Sequence, residues 1–154
     1  GFLTFTGDAF KGWIVVVGSE LILRLYFETI FYSGGNTIVA LCSIFVLLGH
    51  IYPVFHNFKG GKGVATAFGV FYGGFLELGL LATLIWAFAF LATKISGLSA
   101  IITSLAVLMI SIYFMFVNEQ KYFILNFTHA LIAAILLLRH SSNVVALFEN
   151  HLIR

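Results

Sequence analysis

The sequence predicts an all-α fold: a polytopic membrane bundle of about six spans, one of them short. Composition is the first reason. Of 154 residues, 61% are hydrophobic and 9% are charged, where a soluble domain has about 45–50% apolar and about 25% charged residues. The second is mean hydropathy, which reaches +1.08 in apolar runs approaching the roughly 20 residues that cross a bilayer. The third is length, because six spans use roughly 120 positions and leave only short connectors.

The apolar runs and their punctuation place spans at residues 2–23, 37–51, 64–74, 76–93, 98–117 and 122–138. The cluster Tyr32-Ser33-Gly34-Gly35-Asn36 reads as a turn, and Pro53 starts a loop that runs to Gly63. Ser96-Gly97 and Asn118-Glu119-Gln120-Lys121 read as polar connectors. No internal repeat of the kind that builds many transporters is visible. The run from 64 to 93 is long for one span, and Gly73-Gly74 offers a place to divide it. Divided there, the connectors bearing Lys59 and Lys62, Lys94, and Arg139 with His140 all fall on one side. The bias of Lys and Arg toward cytoplasmic loops makes that side cytoplasmic. Both chain ends then lie there too, while Arg24 and Lys121 fall outside.

Several function classes are excluded. Cys42 is the single cysteine, which rules out an intramolecular disulfide and a cysteine-rich metal cluster and reads as a small core residue. A net charge of +2, scattered along the chain, does not suit nucleic-acid binding. The chain opens with Gly1 and without a signal-peptide pattern, so it reads as starting inside a longer protein. No serine sits in a Gly-x-Ser-x-Gly elbow, and no His-Glu-x-x-His is present. The acyltransferase pattern of His followed five positions later by Asp is absent as well. No metal and no cofactor is expected.

The chemistry concentrates in His50-Ile51-Tyr52-Pro53-Val54-Phe55-His56-Asn57-Phe58-Lys59-Gly60-Gly61-Lys62-Gly63-Val64-Ala65-Thr66. Glycines and lysines leading into a helix suit a phosphate site. The glycines let successive N–H groups converge on an anion, the helix N-terminus adds partial positive charge, and the lysines add full charges. A Walker A loop is excluded, since position 56 is His and position 63 is Gly. The plainer reading is a positive-inside loop anchoring two helices. Arg139-His140-Ser141-Ser142-Asn143 closes the last span with a guanidinium fork, a proton-transfer group and an oxyanion donor, or simply with interfacial anchors. Ser96 and Ser99 supply hydroxyls on the same side, for phosphate or for capping a helix.

Other polar residues have structural readings. Asp8 and Lys11 stand at i, i+3 and can pair on one helix face near the cytoplasmic end, as a structural ion pair or in a catalytic role. Glu77 belongs at the outer interface, His129 to a hydrogen-bonded packing role, and Gly69 and Gly73 to a close helix contact. The 18 Phe residues fill spans and face lipid.

Gly49-His50-Ile51-Tyr52-Pro53-Val54-Phe55, continuing through Phe58-Lys59-Gly60-Gly61-Lys62-Gly63-Val64-Ala65-Thr66, closely resembles the second signature of bacterial acyl-phosphate:glycerol-3-phosphate acyltransferases of the PlsY type. Arg139-His140-x-x-Asn143 followed by Leu147 resembles the third, Ser96-x-x-Ser99 the family's serine pair, and Asp8-x-x-Lys11-Gly12 a pattern in its second span. The resemblance implies a seven-span protein of the bacterial inner membrane with a cytoplasmic active site. It also implies transfer of a fatty acyl group from acyl phosphate to the sn-1 hydroxyl of glycerol 3-phosphate, giving lysophosphatidic acid and phosphate. Carried over, His50, Lys59, Gly60, Gly61, Lys62, Gly63 and Thr66 hold phosphate, Ser96, Ser99 and Arg139 line the site, and His140 and Asn143 stand at the reacting centre. On this comparison the chain is one transmembrane acyltransferase domain lacking the family's first helix and first signature loop. Its tail also departs, with Ala146 and Leu152 where the family usually has Arg and Glu. Two rival readings are a small anion or phosphate transporter and a catalytically incomplete family member.

Overall fold

The structure is a computed structural model that describes residues 1–117 and 120–141. Among these residues it is all helix: α1 (Phe2–Tyr26), α2 (Glu28–Ile51), α3 (Val64–Gly74), α4 (Leu76–Thr93), α5 (Ser96–Val117) and α6 (Phe123–Arg139), with short 3-10 turns at Val54–His56 and Gln120–Tyr122. By length and composition the stretch Glu28–His56, α4 and α5 can each cross a membrane, while α3 and α6 are shorter apolar helices. Helix α1 has the length but carries Asp8, Lys11, Glu20 and Arg24, held as ion pairs at 2.6 Å within its own turns.

The division of residues 64–93 is borne out, with a chain reversal at the single extended residue Phe75 (φ −142°, ψ 114°). Two expected connectors are corrected. The cluster at 32–36 lies inside α2, where only Gly34 (φ −170°, ψ 15°) leaves helical geometry, and the turn comes earlier at Phe27. A helix absorbs such a cluster by bending at one residue rather than opening into a loop. Ser96 and Gly97 likewise begin α5 rather than precede it. The break falls at Lys94, which ends α4 in the left-handed conformation (φ 57°), with the Ile95 amide donating to Thr93 Oγ1 at 3.3 Å.

The six helices form a closed ring in space, in the order α1, α3, α4, α5, α6, α2 and back to α1, and α3 also reaches α2 and α6. Helix α3 is the innermost. Its residues Ala65 to Phe71 are all buried, as expected of a helix apolar on every face. Its approach to α1 is backbone on backbone. A Cβ on Gly69 would strike the Ala9 carbonyl oxygen, one on Gly73 would meet Val16 Cβ at 2.7 Å, and one on Gly12 would strike the Thr66 carbonyl oxygen. This is the small-residue contact anticipated for Gly69 and Gly73, with Gly12 as its counterpart on α1. Outward faces carry exposed Phe45, Phe88, Met109 and Phe116, as lipid-facing surfaces require. The chain is a membrane protein.

Side-chain contacts assign the ends of the bundle. Lys11 of α1 meets His50 near the end of α2, and Arg139 at the end of α6 meets Gly61 before α3. Because α3 and α4 are antiparallel, Lys94 lies at this end as well. Arg24, stacked 4.5 Å from the Phe31 ring centroid, marks the other end. Cys42 is half-buried rather than a core residue.

Candidate active site

The loop between α2 and α3 is tightly formed. Pro53 C=O accepts from the His56 and Phe58 amides at 3.1 and 3.0 Å, and the Gly60 amide donates to the Ile51 carbonyl at 3.1 Å. Asn57 and Phe58 both have positive φ (51° and 59°), a conformation unusual for an aromatic residue and one that clusters where backbone geometry serves function. Gly63, at φ +88°, is the N-cap of α3, and a Cβ there would meet Leu47 Cδ1 at 2.7 Å. No room exists at Gly60 either, where a Cβ would strike the His50 carbonyl oxygen. The sequence Gly60-Gly61-Lys62-Gly63 therefore leads the chain tightly into the open amide end of α3, with Lys59 exposed and Lys62 half-buried.

Two histidines flank this turn with opposite chemistry. His50 lies under Gly61, since a Cβ on Gly61 would sit 2.6 Å from His50 Nε2. Its Nδ1 is 2.7 Å from Lys11 Nζ, and Lys11 also donates to Asp8 Oδ1 at 2.6 Å. His140 caps α6 and is buried, with Nδ1 2.8 Å from the Leu136 carbonyl oxygen. A carbonyl only accepts, so His140 Nδ1 carries the proton and the neutral ring keeps its Nε2 lone pair available. Burial lowers the His140 pKa below 6.5; the Leu136 hydrogen bond opposes this shift, and the Lys62 and Arg139 charges add to it. A neutral imidazole with an available nitrogen is the form a proton acceptor needs.

Arg139 reaches toward the Gly61 carbonyl at 3.4 Å, and its guanidinium carbon lies 5.6 Å from the Tyr52 ring centroid. Its buried Nε has no hydrogen-bond partner among the described residues. The structure thus joins Lys62, Gly61, His50, Arg139 and His140 around one turn. Thr66 is fully buried, its carbonyl facing Gly12 of α1 and its hydroxyl without a partner among the described residues. Ser99 is buried and donates to the Ile95 carbonyl at 2.9 Å, while Ser96 is exposed at the start of α5. Asn143 lies outside the described residues. The Lys11 contact to His50 and the Tyr52 platform for Arg139 were not anticipated. The first spans 39 positions, and its one sequence trace is a lysine within an apolar run, which needs a polar partner.

His129 corrects an expectation. It is buried between Phe71 and Phe75, with ring centroids at 5.6 and 5.5 Å, and its Nδ1 has no hydrogen-bond partner among the described residues. Edge-on aromatic packing, rather than hydrogen bonding, holds this ring.

Comparison with known proteins agrees with this geometry. The family model described as glycerol-3-phosphate acyltransferase matches residues 1–150. The chain belongs to that family. A glycerol-3-phosphate acyltransferase of Nitrosomonas eutropha is 38% identical over 145 residues, covering 94% of this chain and 67% of the relative. One from Chromobacterium violaceum is 40% identical over 148 residues, covering 94% and 66%. The crystal structure of PlsY, an integral membrane glycerol 3-phosphate acyltransferase, in its glycerol 3-phosphate form superposes with a TM-score of 0.75 at 28% identity, over 97% of this chain and 68% of that one. Its lysophosphatidic acid form gives 0.75 at 27% identity, over 97% and 69%. The chain spans about two thirds of the length of these relatives, and the family and membrane fold expected from the motifs are both borne out.

Proposed function

We propose that the protein transfers a fatty acyl group from acyl phosphate to the sn-1 hydroxyl of glycerol 3-phosphate, producing lysophosphatidic acid and phosphate for phospholipid synthesis. The observation that carries this reading is the meeting of Arg139 and His140 with the Gly60-Gly61-Lys62-Gly63 turn, within a bundle that matches the family's fold.

Acyl phosphate is a mixed anhydride, so the acyl carbon is already activated and no acyl-enzyme is required. The sn-1 oxygen attacks that carbon, the carbon–oxygen bond to phosphate breaks, and phosphate leaves with the electron pair. The hydroxyl proton passes to His140 Nε2, with Asn143 as its partner at the reacting centre. Lys59, Lys62 and the amides of Gly60, Gly61 and Gly63 hold phosphate, and Arg139, whose Nε is unsatisfied, completes the cradle from α6. Thr66 and His50 support the turn from below, and Ser96 and Ser99 line it from α5. Catalysis is then mainly positioning and charge compensation. The acyl chain lies against apolar helix faces and enters from the bilayer. The apolar hollow of about 320 Å³ between Phe5, Ala9, Phe68, Tyr72, Thr83 and Trp86 offers such a surface.

The gathering of Lys59, Lys62, Lys94 and Arg139 at one end supports a site on the cytoplasmic face of the bacterial inner membrane. A phosphate transporter would place charged groups deep in several spans, whereas among the described residues α2 to α6 carry theirs only at helix ends and in connectors. The test is to reconstitute the full-length protein with palmitoyl phosphate and labelled glycerol 3-phosphate. Labelled lysophosphatidic acid, lost in Lys62→Ala, is expected; phosphate uptake without product would overturn the reading.

A further inference from the structure

We propose that Asp8 and Lys11 are positioning residues that fix one tautomer and one rotation of His50, and that His50 in turn sets the course of the glycine turn. The proposal rests on the acyl-transfer reading for what the turn binds, and on geometry alone for the network itself.

Distance decides the direction of the bonds. Lys11 Nζ is 2.7 Å from His50 Nδ1, whereas Asp8 Oδ1 is 3.4 Å from the same nitrogen. An ammonium only donates, so at 2.7 Å His50 Nδ1 must accept. The ring proton is therefore on Nε2, the atom that stands where a Gly61 side chain would be. Asp8 Oδ1, 2.6 Å from Lys11 Nζ, balances the lysine's charge at a part-buried site. The three side chains form a strut from α1 through α2 to the turn. Arg139 holds the same residue, Gly61, through its carbonyl from the α6 side. Gly61 is thus fixed between His50, which presents an N–H, and the α6 end, where His140 presents a lone pair. Release of the His50 ring loosens the turn and weakens binding of the phosphate donor, while the proton acceptor at His140 remains in place.

The experiment uses the full-length protein in lipid nanodiscs with ring-15N histidine, His50 being assigned by loss of its signals in His50→Gln. The wild-type Nδ1 is expected to resonate as an unprotonated nitrogen and Nε2 as a protonated one, and Lys11→Met is expected to abolish that fixed pattern. In the transfer assay, Lys11→Met should raise KM for palmitoyl phosphate about tenfold with kcat within about twofold, a loss of ground-state binding. Lys11→Arg, which keeps a charged donor, should restore most of it. His50→Gln carries an amide near the Nε2 position and should bind donor better than His50→Asn, whose amide falls near Nδ1. A wild-type His50 protonated at Nδ1 overturns the proposal, as does a Lys11→Met variant that loses thermal stability with KM unchanged. If Lys11→Met does not fold, Asp8→Asn is measured in its place against the same two outcomes. If the wild type makes no lysophosphatidic acid, the acyl-transfer reading fails, and the nitrogen signals still decide the strut.

Discussion

His140 is where electrostatics and function meet most directly. Its folded pKa lies below the 6.5 of an unfolded histidine, so the native state resists protonation. The stabilisation from burying a neutral ring is complete above pH 6.5 and is lost as pH falls below it, because the unfolded chain then binds more protons. The same sign governs activity: kcat/KM is expected to hold across neutral pH and to decline on an acid limb with an apparent pKa below 6.5. His140→Ala should lower kcat by about a hundredfold or more, the usual contribution of a general base, with helicity by circular dichroism unchanged. Gly61→Ala places a Cβ 2.6 Å from His50 Nε2, so a strong rise in KM for the phosphate donor is expected in steady-state kinetics. The choice of His140 and Gly61 as candidates was legible from their types and neighbours. Their neighbours in the fold, the Leu136 carbonyl and the His50 ring, were not, since side-chain contacts depend on rotamers that no spacing rule predicts.

Helix α3 is the element on which the site depends. It is short, buried and apolar, and the Lys-Gly turn leads into its open amide end, where the proposed phosphate site lies. Close contact with α1 keeps that end in place. Gly69→Leu inserts a side chain against the Ala9 carbonyl and Trp13 amide, so overpacking of about 1–3 kcal/mol or more is expected. A lowered melting temperature in detergent would check it, together with lost activity because the α3 amides move away from Arg139. The bounds of α3 and α4 were readable because Gly73-Gly74 and the excessive run length pointed to the same division. The bounds of α2 were not. Gly34, Gly35 and Asn36 favour turns, but α2 carries its helical hydrogen bonds past them and leaves only a kink at Gly34.

For the molecule as a whole, the distribution of charge makes an orientation prediction. Cysteines introduced at Lys59 and Lys94 in a Cys42→Ser background should be labelled by a membrane-impermeant maleimide only in inside-out vesicles, and a cysteine at Tyr32 only in right-side-out ones. Labelling of positions 59 and 94 from opposite sides would break the topology. By itself the sequence determined that the chain is a helical membrane protein, and it singled out a Lys-Gly turn and an Arg-His helix end as the candidate site. Those conclusions follow from composition, periodicity and local backbone chemistry, which act over a few residues. Only the tertiary structure decided that α3 is the innermost helix, that Arg139 reaches Gly61 across 78 positions, and that Lys11 contacts His50. Such contacts depend on how helices cross and how closely glycines let them approach, and both are properties of the assembled bundle.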